Sequence, residues 1–458
     1  MRPKNERLAR AVRESGYSYA ELARQIRAVA AENGTTARTN SSAVAHWIAG
    51  TRPSRGTARL IAEALSRRLP LPVSATQLGL LPPPDDGDPL PPPGEGHDPL
   101  EVLDALTGAD IERSPWSRTV PYSVAAAALP LDTRAAGTGP RGPARQCNGT
   151  AGETEVAAVR ETTRLFTAVD ERFGGQHGRT ALVQYLRSDV AALCRARFRT
   201  EDLKRQMLSA GACVAYLAGW KAYDAGEAGL AQRYYLQAYA LTREADNDLH
   251  GAFVLRVLAH HGMEVGRPEH SLDLIDEALR RVRGRTDPAT ESLYVVTRAR
   301  ALAMAGRGPE AVDEAARAAR IVEGADEREM PFWAALWGSA SACVGNHTAK
   351  AAEHLGSYDV AERHFSHAVW NRSGGEHRRI TALSVAHAGT MQCRQGLVEQ
   401  ACETWTRALE LMDGVRSARV SRAVSGMQRE LAPYRHRKVQ AAVELEGRVR
   451  LWTAKERA

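Results

Sequence analysis

The chain has 458 residues, 43% of them hydrophobic and 6% aromatic, which is long enough for two or three domains and a large core. Its 61 Lys and Arg against 54 Asp and Glu give a net charge of +7, and no stretch approaches the roughly 18 apolar residues of a membrane span. Residues Met1 to Glu6 lead straight into an amphipathic pattern without an apolar secretion core, and the six cysteines make no CxxC pair, so the expectation is a cytoplasmic protein with reduced cysteines and no membrane association.

The charge is unevenly spread. Residues 1–70 carry 13 Lys and Arg against 5 Asp and Glu, or +8, which leaves −1 for the remaining 388 residues. A basic first module on a near-neutral remainder is the footprint of a polyanion binder. Leu8, Ala11 and Val12 are spaced as one face of a first helix, which Gly16 ends. Ser18 and Glu21 form a capping box for a second helix, whose stripe is Leu22, Ala23, Ile26, Val29 and Ala30 and which stops near Asn33-Gly34. Asn40 is positioned to cap a third helix carrying Val44, Trp47 and Ile48, closed by Gly50. After Thr51 to Ser54, a fourth helix carries Leu60, Ile61, Ala64 and Leu65.

The run Val44-Ala45-His46-Trp47-Ile48-Ala49-Gly50-Thr51-Arg52-Pro53 resembles the helix-turn-helix of the phage-repressor (Cro/CI, or XRE-like) family. In that family the third helix enters the major groove of duplex DNA. The resemblance implies that Ser41, Ser42 and His46 face bases and that Ala45 meets a thymine methyl. It implies that Arg38, Arg52 and Arg55 hold phosphates. Trp47 shares the stripe of Val44 and Ile48 and is expected in the core. The chain departs from the family in two ways. Tyr19 stands where Gln is common, and the segment from Ala23 to Asn40 is longer by about eleven residues, near three helical turns. An extended second helix followed by a loop over 34–39 accommodates the excess. That extension, the segment Val73 to Leu80 and the motif Arg172-Phe173-Gly174-Gly175-Gln176-His177 look like a group of actinobacterial regulators that join such a domain to helical repeats.

Residues 82–99 contain eight prolines with acidic residues and glycines between them, and read as a stiff extended spacer. An apolar island follows (Leu103, Leu106, Ile111, Trp116, Tyr122, Val124) and is expected to pack somewhere. Residues 131–152 are again rich in Gly, Pro and Thr. Within them Gly137 to Gly142 match G-x-G-x-x-G, but no strand precedes the match and Pro140 stands where a helix should begin, so a dinucleotide site is rejected. The expected domains are therefore 1–80, a linker over 81–152, and a helical region over 153–458, whose first part, 153–200, reads as an atypical capping pair.

The C-terminal half repeats one spacing five times. A Gly is followed by a small residue at +5, a bulkier or apolar one at +9 and Ala at +12, with another small residue at −7. The glycines are Gly226, Gly266, Gly306, Gly356 and Gly396, spaced 40, 40, 50 and 40 residues apart. Gly ends a first helix, and small residues let two helices cross closely. The pattern resembles tetratricopeptide repeats, lengthened from about 34 residues by longer loops. The expected fold class is all-α: a helix-turn-helix domain followed by a tetratricopeptide-like α-solenoid.

In such arrays the first helix of each pair lines the concave face. Counting back from each turn Gly places Tyr216 and Trp220, Arg256 and His260, Val296 and Arg300, Asn346 and Lys350, and Ala386 and Thr390 on it, with Arg394 one turn on. Arg, Lys and Asn are the groups that hold a carboxylate or a peptide backbone. The longer interval before Gly356 puts Pro331, Phe332, Trp333 and Trp337 in an insertion. No catalytic motif occurs, and His364 and His367 lack further ligands, so no enzyme, metal or cofactor is expected. The expected partners are double-stranded DNA and a peptide, protein or small acidic effector in the groove, and a homodimer is compatible with that. The rival is an interaction scaffold whose first domain docks protein, and an enzyme ranks last.

Overall fold

The computed structural model describes residues 3–32, 35–69, 73–82, 98–114, 117, 120–131, 149–370 and 377–457. They divide into two compact units, Met1–Val156 with Thr180–Asp246, and Ala157–Arg179 with Asn247–Ala458. The described residues are overwhelmingly helical, and their strands are a two-residue parallel pair, Thr150–Ala151 beside Arg197–Phe198.

The first unit opens with α1 (Glu6–Ser15), α2 (Tyr19–Glu32), α3 (Ser41–Ile48) and α4 (Arg55–Ser66). Leu8, Leu22, Ile26, Val44, Ile61 and Leu65 meet in its core, closed from below by Leu78 and Leu80. The caps form where the residue types demand them. Ser18 N donates to Glu21 Oε2 at 2.9 Å while Glu21 N donates to Ser18 Oγ at 3.2 Å. Ala43 N donates to Asn40 Oδ1 at 2.9 Å. Between α2 and α3 the chain runs as a loop, held where the Arg27 guanidinium donates to the Thr39 carbonyl; Asn33 and Gly34 lie outside the described residues.

Residues 83–97 and 132–148 also lie outside them, and with them the proline-rich run, the glycine match and Cys147. Between these gaps, residues 98–131 are packed. Asp98 caps α5 (Pro99–Ile111) through Leu100 N, and α6 (Val124–Ala128) follows. The apolar island does find a core: Leu103, Leu106, Tyr122 and Val124 are buried, with Trp116 outside the described residues. Its polar bonds fix two neighbours. Glu63 Oε2 on α4 accepts Val124 N at 2.8 Å. On α11, Gln232 accepts from Ser123 N and donates to Ser123 O, both at 2.7 Å, and Tyr234 donates to Asp110 at 2.8 Å. The helices α8 (Arg179–Tyr185) and α9 (Ala191–Cys194) flank a π-helical turn, Leu186–Val190. The unit ends in the first repeat pair, α10 (Glu201–Asp224) and α11 (Ala228–Glu244).

The second unit holds five more pairs: α12 (Asp248–Glu264) and α13 (Pro268–Val282), α14 (Pro288–Met304) and α15 (Gly308–Glu323), α17 (Ala340–His354) and α18 (Tyr358–Trp370), α19 (Arg378–Arg394) and α20 (Val398–Met412), and α21 (Ala418–His436) and α22 (Gln440–Arg457). A one-turn helix α16 (Phe332–Ala335) sits in the insertion. First helices of successive pairs pack on one another, α12 on α14, α14 on α17 and α19 on α21.

The repeated spacing has a geometric cause. All five turn glycines adopt φ between +75° and +89°, the left-handed conformation that costs other residues a Cβ clash. The +12 alanines, Ala238, Ala278, Ala318, Ala368 and Ala408, are fully buried. The −7 and +9 residues are partners. A Cβ on Gly219 would lie 2.7 Å from the Tyr235 ring, and one on Gly389 2.7 Å from Trp405. The two copies with the largest +9 rings besides Phe365 thus carry Gly at −7, and the other three carry Ala. Overpacking such a crossing costs ~1–3 kcal/mol, so Ala278→Leu is expected to lower stability by that amount in chemical denaturation. Triple replacement at Ala238, Ala278 and Ala368 that melts like the parent would contradict this packing.

From Ala157 onward, α7 (Glu153–Phe173) belongs to the second unit and is held to it by several contacts. Arg160 and Arg164 lie over the Phe332 ring, at 5.6 and 5.0 Å. Arg379 Nη2 donates to Asp170 at 2.7 Å and to Glu171 at 2.6 Å. Arg416 N donates to Phe173 O at 2.8 Å, and a Cβ on Gly174 (φ +91°) would lie 2.3 Å from the Arg416 carbonyl oxygen. That contact gives the Phe173-Gly174 step of the motif a structural reason for its glycine.

Candidate functional site

The first module presents one helix with two unlike faces. On α3, Val44, Trp47 and Ile48 are buried, whereas Ser41, Ser42, Ala45 and His46 are exposed. Arg38 before the helix, and Arg52 and Arg55 after it, are exposed too, and no described residue forms an ion pair with them. Ser54 caps α4 through Thr57 N at 3.2 Å, which fixes the backbone that carries Arg52 and Arg55. All seven residues singled out from sequence therefore share a module whose core fixes α3 while leaving its N-terminal face open.

In the second unit the groove residues are largely enclosed. Arg256, Arg300, Asn346 and Lys350 keep 8, 5, 8 and 8% of their surface. Two of them, Arg300 and Lys350, meet at Glu264, one helical turn beyond His260 on α12. Its Oε1 receives Arg300 Nη2 at 2.8 Å and Lys350 Nζ at 3.1 Å, with His260 Nε2 at 3.8 Å. Arg256 Nε donates to the Leu293 carbonyl at 3.0 Å, and Nη2 lies 3.3 Å from the Cys343 sulfur. The His260 and His347 rings stand 5.3 Å apart. Burial holds both imidazoles well below their ordinary pKa, against Glu264 in the case of His260 and aided for both by the neighbouring cations. Burial, then Arg300, brings the Lys350 ammonium down to about 8, although Glu264 opposes the shift. Glu264 itself is held well below the usual carboxylate range, since Lys350 and Arg300 outweigh the burial that pushes the other way.

The other predicted groove residues go elsewhere. Tyr216 is buried in the first unit, its ring edge-on to Tyr235 at 6.0 Å, and serves its own helix pair. Trp220 lies half-buried beside Tyr223 at 5.6 Å. Val296 and Ala386 are core residues. Arg394 bridges Glu353 at 3.2 Å and Glu430 at 3.3 Å and lies over the Tyr358 ring. Asn346 receives a 3.4 Å hydrogen bond from Ser384. In the insertion, Trp333 stacks on His250 at 5.3 Å and tilts against Phe253 at 5.2 Å.

The family described as the SP15 N-terminal domain matches residues 8–81. No curated relative matches the chain. Among solved structures it is similar to a putative kinesin light chain with nearly identical TPR-like repeats from Podosopora anserina, at 15% identity, a TM-score of 0.34, and coverage of 44% of this chain and 94% of that one. A Rap protein complexed with Competence and Sporulation Factor is similar at 12% identity, with a TM-score of 0.41 and coverage of 66% and 97%. The protein is an all-α chain with tetratricopeptide-like repeats.

Glu264 and His347 escaped the sequence argument, although a signal for the first existed: it lies at i+4 from His260 and so shares its helix face. His347 follows Asn346 directly and reaches the cluster because α17 is fully enclosed there. Among the described residues no three His, Cys, Asp or Glu side chains converge as metal ligands, and no helix is long and apolar enough to cross a membrane.

Proposed function

We propose that the protein is a sequence-specific DNA-binding regulator whose first module reads duplex DNA through a helix-turn-helix and whose repeats bind an acidic peptide or protein segment, with a small acidic effector as the alternative occupant. The observation that carries this is α3: one face of the helix, Val44, Trp47 and Ile48, is core, and another, Ser41, Ser42, Ala45 and His46, is open between three exposed arginines on a +8 module. A rigid helix with short polar side chains at its N-terminal end suits base edges, while flanking arginines suit phosphates. Among the described residues Arg38, Arg52 and Arg55 have no ion-pair partner to surrender, so a polyanion meets them uncompensated by those residues.

The test is binding of the full chain to duplex DNA across a salt series, with genomic binding sites mapped to supply the sequence. Affinity should fall steeply with salt, because each phosphate contact releases counterions. Arg52→Ala and Arg55→Ala should weaken all sequences alike and lower the salt slope by about one each. Ser42→Ala and His46→Ala should change sequence preference, by roughly 1–3 kcal/mol at the base affected. Absence of salt-dependent duplex binding would favour the scaffold, in which the same exposed face docks protein.

A further inference from the structure

We propose that α22 is a self-association surface, through which two copies of this chain pair antiparallel around Gly447. One face of the helix is used within the chain: Ala442, Leu445, Val449 and Trp452 are buried in the core that α22 shares with α20 and α21. A helix with one buried face ordinarily turns charge to the opposite side. On α20 that holds, with Glu399, Glu403, Arg407 and Glu410 exposed. The outward row of α22 is instead Val443, Gly447, Leu451 and Ala454, at helical spacing and all exposed. Val443 keeps 44% of its surface and Leu451 74%. No described neighbour calls for glycine at 447. The position lies inside a helix, where Gly is destabilising relative to Ala. Its φ is not positive, and a Cβ there would meet nothing within 4 Å. Close approach of a second helix gives that glycine a use.

The charges beside the apolar row select the occupant. Glu444 and Arg448 flank it on one side, Glu446 and Arg450 on the other. Each pair is four residues apart, with its acid nearer the N-terminus. Glu446 Oε1 accepts from Arg450 Nη2 at 2.9 Å and from Arg435 Nη1 on α21 at 2.6 Å, and Glu444 Oε1 accepts from Gln440 Nε2 at 2.7 Å. Arg448 is exposed and forms no ion pair with a described residue.

A two-fold axis crossing the helix at Gly447 sets each charged row against the same row of the second copy, reversed. Glu444 then meets Arg448 of the second copy, and Glu446 meets its Arg450. Val443 meets Leu451, and Gly447 meets itself. Parallel pairing would set the Glu444 row against the Glu446 row, acid on acid and arginine on arginine. The pattern is thus complementary to its own copy, in one orientation, which favours a second copy over an unrelated protein. An 18-residue helix is only ~27 Å long. Such an interface lies at the low end of stable sizes, so association of roughly micromolar strength is expected.

The experiment is sedimentation velocity of the full chain in a concentration series at about 0.15 M salt, with circular dichroism of every variant. Wild type should pass from monomer to dimer as concentration rises. Leu451→Asp should weaken association at least tenfold with unchanged helical content, because it sets a charge against Val443. Arg448→Glu and Glu444→Arg should each weaken it at least tenfold, since each brings like charges together in the flanking contacts. Mixed in equal amounts, these two variants should dimerise with near wild-type affinity, because an acidic row then faces a basic one. A parallel pair gains nothing from mixing. If Leu451→Asp loses helical content, the charge-swap mixture decides. A wild-type chain that stays monomeric to ~100 µM overturns the proposal and leaves the face to a different protein. A dimer indifferent to Leu451→Asp forms elsewhere on the chain and overturns it too, as does a mixture no more dimeric than its components.

Discussion

Arg379→Met is expected to destabilise the second unit by ~3–5 kcal/mol, the range for breaking a buried pair from one side. Arg379 has no exposed surface, and its two carboxylate partners, Asp170 and Glu171, lie on α7, 209 and 208 residues earlier in the chain. Asp170 is equally enclosed. Met fills the space of the arginine stem but leaves both carboxylates facing an apolar group, and the enclosed Asp170 has little access to water. The buried face of α7 also carries Val159, Thr163 and Thr167, while Leu165 points to solvent with 64% exposure. Chemical denaturation of the full chain reads the effect. Adding Asp170→Asn to Arg379→Met should recover part of the loss, because the stranded charge is then gone. A single variant within 1 kcal/mol of wild type would mean that α7 is held by Phe332 and Arg416 rather than by this ion pair.

That contact illustrates what the sequence could not disclose. The Gly/+5/+9/+12 spacing revealed five repeat pairs because each depends on residues close in sequence: a left-handed turn residue and a helix crossing a few positions away. The sixth pair, α21 and α22, is invisible to the same pattern. Its turn uses Lys438 at φ +58° where the others use Gly, and the corresponding +9 and +12 positions hold Gly447 and Arg450. The four-helix module was legible for the same local reason, through Ser18 with Glu21, Asn40 and the Val44–Trp47–Ile48 stripe. Repeat phase relates Arg300 and Lys350, which both reach Glu264, but phase carries no information on depth. Their burial and the shared Glu264 oxygen depend on three helices packing together. Tyr216 is buried against Tyr235, because an aromatic at an inward register is also the right size to fill the space opposite that ring. Residues 98–131 read as part of a linker because prolines and glycines flank them on both sides, while their fixing contacts, Glu63 and Gln232, are distant in sequence.

Gly229→Val is expected to cost ~3 kcal/mol in the first unit, the upper end of the overpacking range. Gly229 lies in the first turn of α11, where a Cβ would come within 1.9 Å of the Val120 carbonyl oxygen and 2.5 Å of Pro121 C. The obstruction is backbone on both sides, so no rotamer change relieves it, and either α11 or the segment 120–131 must move. The segment is the lighter body. Its displacement would break the paired Gln232–Ser123 hydrogen bonds and with them the donation of Val124 N to Glu63 on α4. Hydrogen exchange at the Val124 amide is the direct readout and should accelerate at least a hundredfold if that bond is lost, a change of about 2.7 kcal/mol in local opening. Gln232→Leu should accelerate the same amide less, since it removes the two side-chain bonds and leaves the backbone fit of Gly229 against Val120 intact. Because Glu63 belongs to the helix that follows α3 and the Arg52–Arg55 turn, the same variant tests whether residues 98–131 steady the first module. Unchanged exchange at Val124 in Gly229→Val would show that α11 yields instead and that the first module keeps its anchor on α6 without help from the repeats.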